Sequence, residues 1–113
     1  MKSITILAAI GMTFAASTAT SAASIEGTWR TASGATAQIA ACGNAYCTTI
    51  LTGEHKGKRI GRMAGSGNSY SGEITDPANG KTYSGTAEVS GNSLKLTGCA
   101  LKIFCRSQTW TRR

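Results

Sequence analysis

The chain has 113 residues, 12 of them basic and 5 acidic, which gives a formal net charge of +7 at pH 7. This length is enough for one domain and not for two. Glycine occurs 14 times and proline once. No window beyond residue 23 shows a sustained helical period, which excludes a helical bundle.

The first 23 residues have the pattern of a cleavable secretory signal. Lys2 precedes an uncharged apolar stretch, and small residues then lead to predicted cleavage after Ala23, with Ala22 as the alternative. The apolar stretch is shorter than the ~20 residues of a spanning helix. We therefore predict a signal peptide over residues 1–23, a single domain over residues 24–113, and a periplasmic or secreted protein without stable membrane insertion.

The charge of the exported part narrows the classes of partner. Removal of residues 1–23 takes away Lys2 and leaves 90 residues, with 11 basic against 5 acidic side chains and a net charge of +6. An exported protein does not meet cytosolic nucleic acid, so we predict no nucleic-acid partner. The charge favours an anionic lipid or glycan or an acidic envelope protein, and a generically basic, soluble surface is the alternative.

Alternation of apolar and polar residues predicts an all-β fold beyond the signal. Tyr83, Ala87 and Val89 fall on one face of a segment whose other face is polar, which is the period of a strand with one face buried. Turn dipeptides such as Asn-Gly separate such segments at regular intervals. Eight short strands are predicted at roughly 25–31, 36–42, 46–51, 58–64, 69–75, 81–89, 93–99 and 105–112.

Hairpin-length links between these strands predict an up-and-down antiparallel meander. Eight such strands remove their edges by closing into a small barrel. The first and last strands are then neighbours, and each carries a tryptophan, Trp29 in EGTWRT and Trp110 in SQTWTRR. We expect both indoles at the seam, where they seal the core.

The last strand indicates an interior that is not wholly apolar. The face that carries Trp110 also carries Arg106, Gln108 and Arg112. Because a buried guanidinium without partners is costly, an arginine either caps an indole or faces a wet cavity. We predict the cap for Arg112 and treat Gln108 as a candidate ligand contact.

Four cysteines lie beyond the signal, at Cys42, Cys47, Cys99 and Cys105. An even number in a small exported chain favours two disulfides. Zinc is the alternative, but the spacings C-x4-C and C-x5-C are poor for a metal knuckle. Of the three pairings we predict the local one, Cys42–Cys47 and Cys99–Cys105, in which each bridge adds about 2 kcal/mol of stability.

The sequence shows no recognisable catalytic arrangement. His55 is the only histidine and lies in the hydrophilic segment EHKGKR, where we expect it to be solvated. Glu73 and Glu88 fall on polar strand faces, and Asp76 precedes a proline, where it is expected to cap backbone amides. We therefore predict no enzyme, no metal and no cofactor, since a hydrolase would need two carboxylates or His55 to converge in one cleft.

Lys56, Lys58, Arg59 and Arg62 concentrate positive charge in one loop and strand. This segment could contact phosphate groups, and a solvated charged surface is the alternative. It contains no interleaved aromatic residues, so it does not predict stacked nucleobases.

Several motifs together resemble a known family. GTWRT, CGNAYC, ITDPANGKTYSG, LTGC and SQTWTR are similar to the bacterial exported family called domain of unknown function 2147. The resemblance implies a small lipocalin-like barrel in the periplasm with no established activity. Gly27-Thr28-Trp29 is similar to the lipocalin G-x-W element, which implies that Arg112 covers Trp29. The stretch from Leu51 to Tyr70 is shorter than in many relatives, and Thr48 replaces a common glycine, so a smaller mouth is expected.

Two hypotheses for function follow. The first is a non-enzymatic barrel that binds a small amphipathic or anionic molecule through Trp29, Tyr70, Tyr83, Gln108, Trp110 and Arg112. The second is a protein-binding module, similar in fold and size to lysozyme inhibitors or envelope-stress factors, that uses exposed basic loops. A protruding loop at residues 56–62 above a filled barrel would favour the second, and an open interior would favour the first.

Overall fold

The computed structural model describes residues 24–101 and 103–113. The predicted signal peptide and its cleavage site lie outside the described residues. The described chain forms eight strands: β1 (Gly27–Arg30), β2 (Thr36–Cys42), β3 (Ala45–Ile50), β4 (Arg59–Ser66), β5 (Ser69–Thr75), β6 (Thr82–Ser90), β7 (Ser93–Ala100) and β8 (Phe104–Arg112). Each coincides, within a few residues, with a strand predicted from the alternation.

The strands form a closed antiparallel barrel in which each strand pairs with the next along the chain. The barrel closes where β1 pairs with β8, through Trp29 opposite Arg112 and Arg30 opposite Thr111. The predicted all-β, up-and-down barrel is therefore confirmed. In residues 24–101 and 103–113, no helix is long and apolar enough to cross a lipid bilayer.

The connections make the two ends of the barrel different. At one end, three hairpins turn through only two residues each, Gly43-Asn44, Gly67-Asn68 and Gly91-Asn92. The three glycines have φ of 70°, 61° and 59°, a conformation that glycine adopts without steric cost at the first position of a type II′ turn. At the other end the connections are longer. We call the first the closed end and the second the mouth.

The closed end is filled by a packed core. Trp29 and Leu94 are completely buried, and Trp110 is 3% exposed. The burial of β6 alternates strictly from Ser84 to Ser90, as expected for a strand with one face inward. The core cluster extends from the closed end to the residues that form the base of the open part, and it comprises Ile25, Trp29, Ala37, Ile39, Ile50, Ile60, Met63, Tyr70, Ala87, Val89, Leu94 and Trp110.

Arg112 covers the indole of Trp29 at the seam. Its guanidinium carbon lies 4.2 Å from the ring centroid, within the range of a cation–π interaction. Its Nη1 donates to the backbone oxygen of Glu26 at 3.2 Å and its Nη2 to that of Ser24 at 3.1 Å. The indole Nε1 of Trp29 donates to the backbone oxygen of Ile25 at 3.0 Å. The structure thus shows the arginine cap that the sequence predicted.

Both disulfides have the predicted local pairing. Cys42–Cys47 bridges the β2–β3 hairpin near the closed end. Cys99–Cys105 joins directly opposite residues of β7 and β8, next to the mouth. No cysteine is free in the part of the chain that the structure describes. Each bridge adds about 2 kcal/mol to a domain with a small core.

Candidate ligand-binding cavity

The barrel interior is not filled at the mouth. A cavity of about 1280 Å³ opens there between the longer connections. Small-molecule pockets are typically about 300–1,000 Å³, so the short stretch from Leu51 to Tyr70 does not close the interior. Apolar residues form the inner wall of this cavity: Ile50, Ile60, Met63, Ile74, Leu96 and Trp110.

Three paired glycines lie beside this cavity, and one of them, Gly98, lines it. Gly72 lies opposite Gly85, and Gly85 lies opposite Gly98, across three neighbouring strands. The side chain of Ile74 occupies the space above Gly85, because a Cβ there would lie 2.5 Å from its Cδ1. At Gly98 a Cβ would have only Ile74 Cδ1 near it, at 3.9 Å. The wall at Gly98 therefore faces open space.

Strand β8 supplies the polar part of the wall. Arg106, Gln108 and Trp110 all line the cavity, as expected for alternate residues of one strand face. Trp110 Nε1 donates to Gln108 Oε1 at 2.9 Å. This bond uses the amide oxygen and leaves the amide nitrogen of Gln108 able to donate to a ligand. The cavity thus changes from apolar at its base to hydrogen-bonding halfway up and cationic near the mouth.

The rim contains titratable residues that the strand pattern did not place together. Glu54, His55 and Asp76 all line the mouth, and His55 is half-buried rather than fully solvated. Asp76 Oδ1 accepts from the backbone N–H of Ala78 at 2.8 Å, which is the predicted capping role. Among the described residues, no hydrogen bond joins His55 to either carboxylate.

Metal-binding groups were also sought in the same part of the chain. Within residues 24–101 and 103–113, no group of three or more His, Cys, Asp or Glu side chains is placed to hold a metal ion.

Positive charge is concentrated at the mouth, whereas basic residues on the barrel wall lie opposite acidic ones. On the barrel wall, Arg62 lies opposite Glu73 and Lys95 lies opposite Glu88, so basic and acidic groups face each other across strands. At the mouth, basic residues outnumber Glu54 and Asp76. They are Lys56, Lys58, Arg59, Lys81 and Arg106.

The structure divides the predicted site residues into two groups. Tyr83, Gln108 and Trp110 line the cavity. Trp29, Tyr70 and Arg112 lie instead in the closed end and its seam, where Tyr70 packs edge-on against Tyr46 with ring centroids 5.6 Å apart. The Tyr70 hydroxyl accepts from the backbone N–H of Ile25 at 3.4 Å. These three residues close and fill the barrel, and contact with a ligand stays a prediction for all six.

Two features of the mouth were not identified from sequence. One is Gly98, because a glycine within a predicted strand does not by itself indicate a cavity. The other is the apolar β7–β8 connection, where Leu101, Ile103 and Phe104 are exposed. Its signal was visible, because the segment between Cys99 and Cys105 has none of the Gly, Asn or Pro residues that usually mark a turn.

These features define a disulfide-bonded, eight-stranded antiparallel barrel with an open interior cavity. Residues 58–112, which include β4 to β8, match the model of the family described as "Uncharacterized protein conserved in bacteria (DUF2147)". The matched family is the one that the motifs resemble. Two disulfides in a bacterial protein are consistent with an extracytoplasmic location. No curated protein and no solved structure matches the chain.

Proposed function

We propose that this protein is a non-enzymatic binding protein of the periplasm or the cell exterior that holds a small amphipathic molecule with an anionic group. The apolar part of the ligand lies against the inner wall at Ile74, Leu96 and Trp110. The anionic group lies near Arg106, with Gln108 and Tyr83 between the two regions.

The half-empty barrel is the observation that carries this proposal. Eight-stranded barrels are wide enough either to be filled by side chains or to hold one small ligand. Here the closed end is filled, whereas the mouth half contains a cavity of about 1280 Å³. An open apolar wall with a few convergent polar groups is the usual arrangement of a ligand site.

The gradient of polarity supports an amphipathic ligand rather than a purely apolar or purely ionic one. Burial of an alkyl chain against the inner wall contributes roughly 0.8 kcal/mol per methylene group. A phosphate, sulfate or carboxylate near Arg106 gains charge-assisted hydrogen bonds from a guanidinium that donates in a planar fork. Basic residues around the mouth attract such anions before they enter.

The basic segment at residues 56–62 supports the ligand proposal over the protein-binding alternative. Ile60 and Gly61 of this segment line the open cavity, and His55, which precedes it, lies at the rim. Lys58 is also held to the neighbouring connection, since its Nζ donates to the backbone oxygen of Pro77 at 3.2 Å. Arg59 and Arg62 lie on the exposed outer face of β4.

The proposal can be tested by filling the cavity from its open wall. Gly98→Phe places a phenyl ring where an added Cβ meets no close neighbour. Thr86→Phe adds the same ring at an exposed outer position of β6 and is the matched control. The probes are anilinonaphthalene sulfonate, followed by fluorescence, and decyl phosphate, followed by native mass spectrometry of the purified, oxidised protein.

We expect the unmodified barrel and Thr86→Phe to bind one decyl phosphate per chain. We expect Gly98→Phe to bind at least tenfold more weakly, because the ring occupies space that the alkyl chain needs. Absence of binding to the unmodified barrel would contradict the proposal. Equal binding by both variants would also contradict it, because the probes would then lie outside the cavity.

A further inference from the structure

Three exposed apolar side chains cluster at the mouth. Leu101 is 82% exposed, Ile103 73% and Phe104 67%, and these are the exposed large hydrophobic residues of the described chain. Single exposed apolar residues are common on protein surfaces, whereas a cluster marks an interaction site. We call Leu101, Ile103 and Phe104 the apolar tip.

The fold holds the apolar tip in a fixed position. Ala100 pairs with Phe104, and the Cys99–Cys105 bridge lies one residue further along both strands. The backbone N–H of Ile103 donates to the oxygen of Ala100 at 3.2 Å. These contacts clamp both ends of the connection, so the tip is presented to solvent by a closed hairpin.

Leu101 occupies an unfavourable backbone conformation. Its φ is 55°, and it is the only described residue other than glycine with a positive φ. Asparagine or glycine adopts this left-handed conformation more readily than leucine does. A strained backbone that carries an exposed apolar side chain is typical of a functional position.

The apolar tip also lies at the cationic end of the barrel. Lys56, Lys81 and Arg106 belong to the mouth, and the acidic residues Glu54 and Asp76 lie at the same end. Ile103 and Phe104 themselves line the cavity. The tip, the basic residues and the entrance to the cavity therefore lie at the same end of the molecule.

We infer that the apolar tip and the surrounding basic residues dock the mouth of the barrel onto an anionic lipid bilayer. This inference rests on the proposed function, since docking would bring the cavity entrance to the surface from which an amphipathic ligand is taken. Exposed apolar side chains enter the interfacial region of a bilayer, and nearby Lys and Arg side chains are attracted to anionic headgroups. A second copy of this chain would present the same positive charge and be repelled.

Leu101→Asn is the most informative variant for the tip. It removes the apolar side chain and suits the left-handed backbone, so the fold is retained. Leu101 does not line the cavity, so uptake of decyl phosphate in solution should be unchanged. For the charges, Lys56→Gln with Lys81→Gln is compared with Lys95→Gln and Arg113→Gln, which remove two exposed basic residues away from the mouth.

The assay is co-flotation of the oxidised protein with vesicles of phosphatidylcholine containing phosphatidylglycerol. We expect Leu101→Asn to lower the partition coefficient roughly tenfold. We expect the mouth pair to lower it about fivefold for each charge removed, with a much smaller loss for the distal pair. Phosphatidylcholine vesicles without the anionic lipid should bind weakly.

Each contrary outcome overturns a defined part of this account. If the barrel takes up decyl phosphate but does not float with anionic vesicles, docking is wrong and the proposed function stands. If it floats but takes up no amphiphile, the proposed function is wrong. Equal flotation of Leu101→Asn and the unmodified protein overturns the role of the tip. Self-association that Leu101→Asn abolishes, measured by sedimentation, overturns docking in favour of a second copy.

Discussion

Replacement of Arg112 by methionine should destabilise the whole barrel, because Arg112 links the first and last strands. β1 and β8 pair through only two residue pairs, Trp29 with Arg112 and Arg30 with Thr111. Methionine keeps the apolar stem of the arginine and removes only the guanidinium. The change therefore measures the contribution of the guanidinium contacts to stability separately from the contribution of the packed apolar stem.

The contacts of the guanidinium set the size of the effect. The cation–π interaction with Trp29 at 4.2 Å is worth about 1 kcal/mol at this half-buried site. The two hydrogen bonds to the backbone of Ser24 and Glu26 contribute about 1 kcal/mol each, near the lower end for charged donors because they are partly solvated. We expect Arg112→Met to lose about 3 kcal/mol, and Arg112→Lys about half as much, since lysine lacks the planar fork.

The assay is thermal and urea unfolding with both disulfides intact. For a domain of this size, a loss of about 3 kcal/mol lowers Tm by roughly 15 °C. Arg113→Met is the matched control, because Arg113 is exposed and its backbone N–H, which donates to Thr28, is retained. A change below about 0.5 kcal/mol for Arg112→Met, or one no larger than that of the control, would refute this reasoning.

Two further substitutions test the packing of the barrel and its covalent restraints. Gly72→Ala should lose about 2 kcal/mol by thermal unfolding, because its Cβ would collide with the backbone oxygen of Arg62; Gly98→Ala, which meets no close neighbour, should be nearly neutral, and equal losses would contradict the geometry. Replacement of Cys99 and Cys105 by serine should lose about 2 kcal/mol in urea unfolding, from the entropy of a short loop. A loss above about 5 kcal/mol would show that the bridge does more than restrain the unfolded chain.

The sequence predicted the fold well because the signals for it are local. Alternation with period two marks each strand, and the turn residues separate the strands at hairpin spacing. The pairing of Cys42 with Cys47 was predictable because a hairpin between two cysteines brings them close together. The strand faces predicted that Arg112 caps an indole, and the resemblance to the lipocalin G-x-W element implied that this indole is Trp29.

The cavity could not be predicted from the alternation, because it depends on volume, which alternation does not measure. Period two shows which side chains face inward but not whether they fill the space between opposite strands. Tyr70 and Tyr83 have the same inward orientation, yet Tyr70 packs in the closed end while Tyr83 lines the cavity. The difference comes from position along the barrel, since Tyr70 lies next to the β4–β5 turn at the closed end and Tyr83 next to the longer β5–β6 connection at the mouth.

The grouping of titratable residues at the rim could not be predicted from the strand pattern either. Glu54, His55 and Asp76 come from two different connections, and the conformation of a loop is not specified by hydrophobic periodicity. The apolar tip was missed for a related reason, since the pattern placed residues 100–104 in a connection but does not show which of their side chains are exposed.

The most direct test of the proposed cavity is the position of a bound amphiphile in solution. We suggest nuclear magnetic resonance of the isotopically labelled, oxidised protein with decyl phosphate, measuring nuclear Overhauser effects between alkyl protons and protein side chains. The account predicts contacts from the alkyl chain to Ile74, Leu96 and Trp110, which line the inner wall. Contacts confined to Leu101 and the outer surface, with none to these three residues, would contradict it.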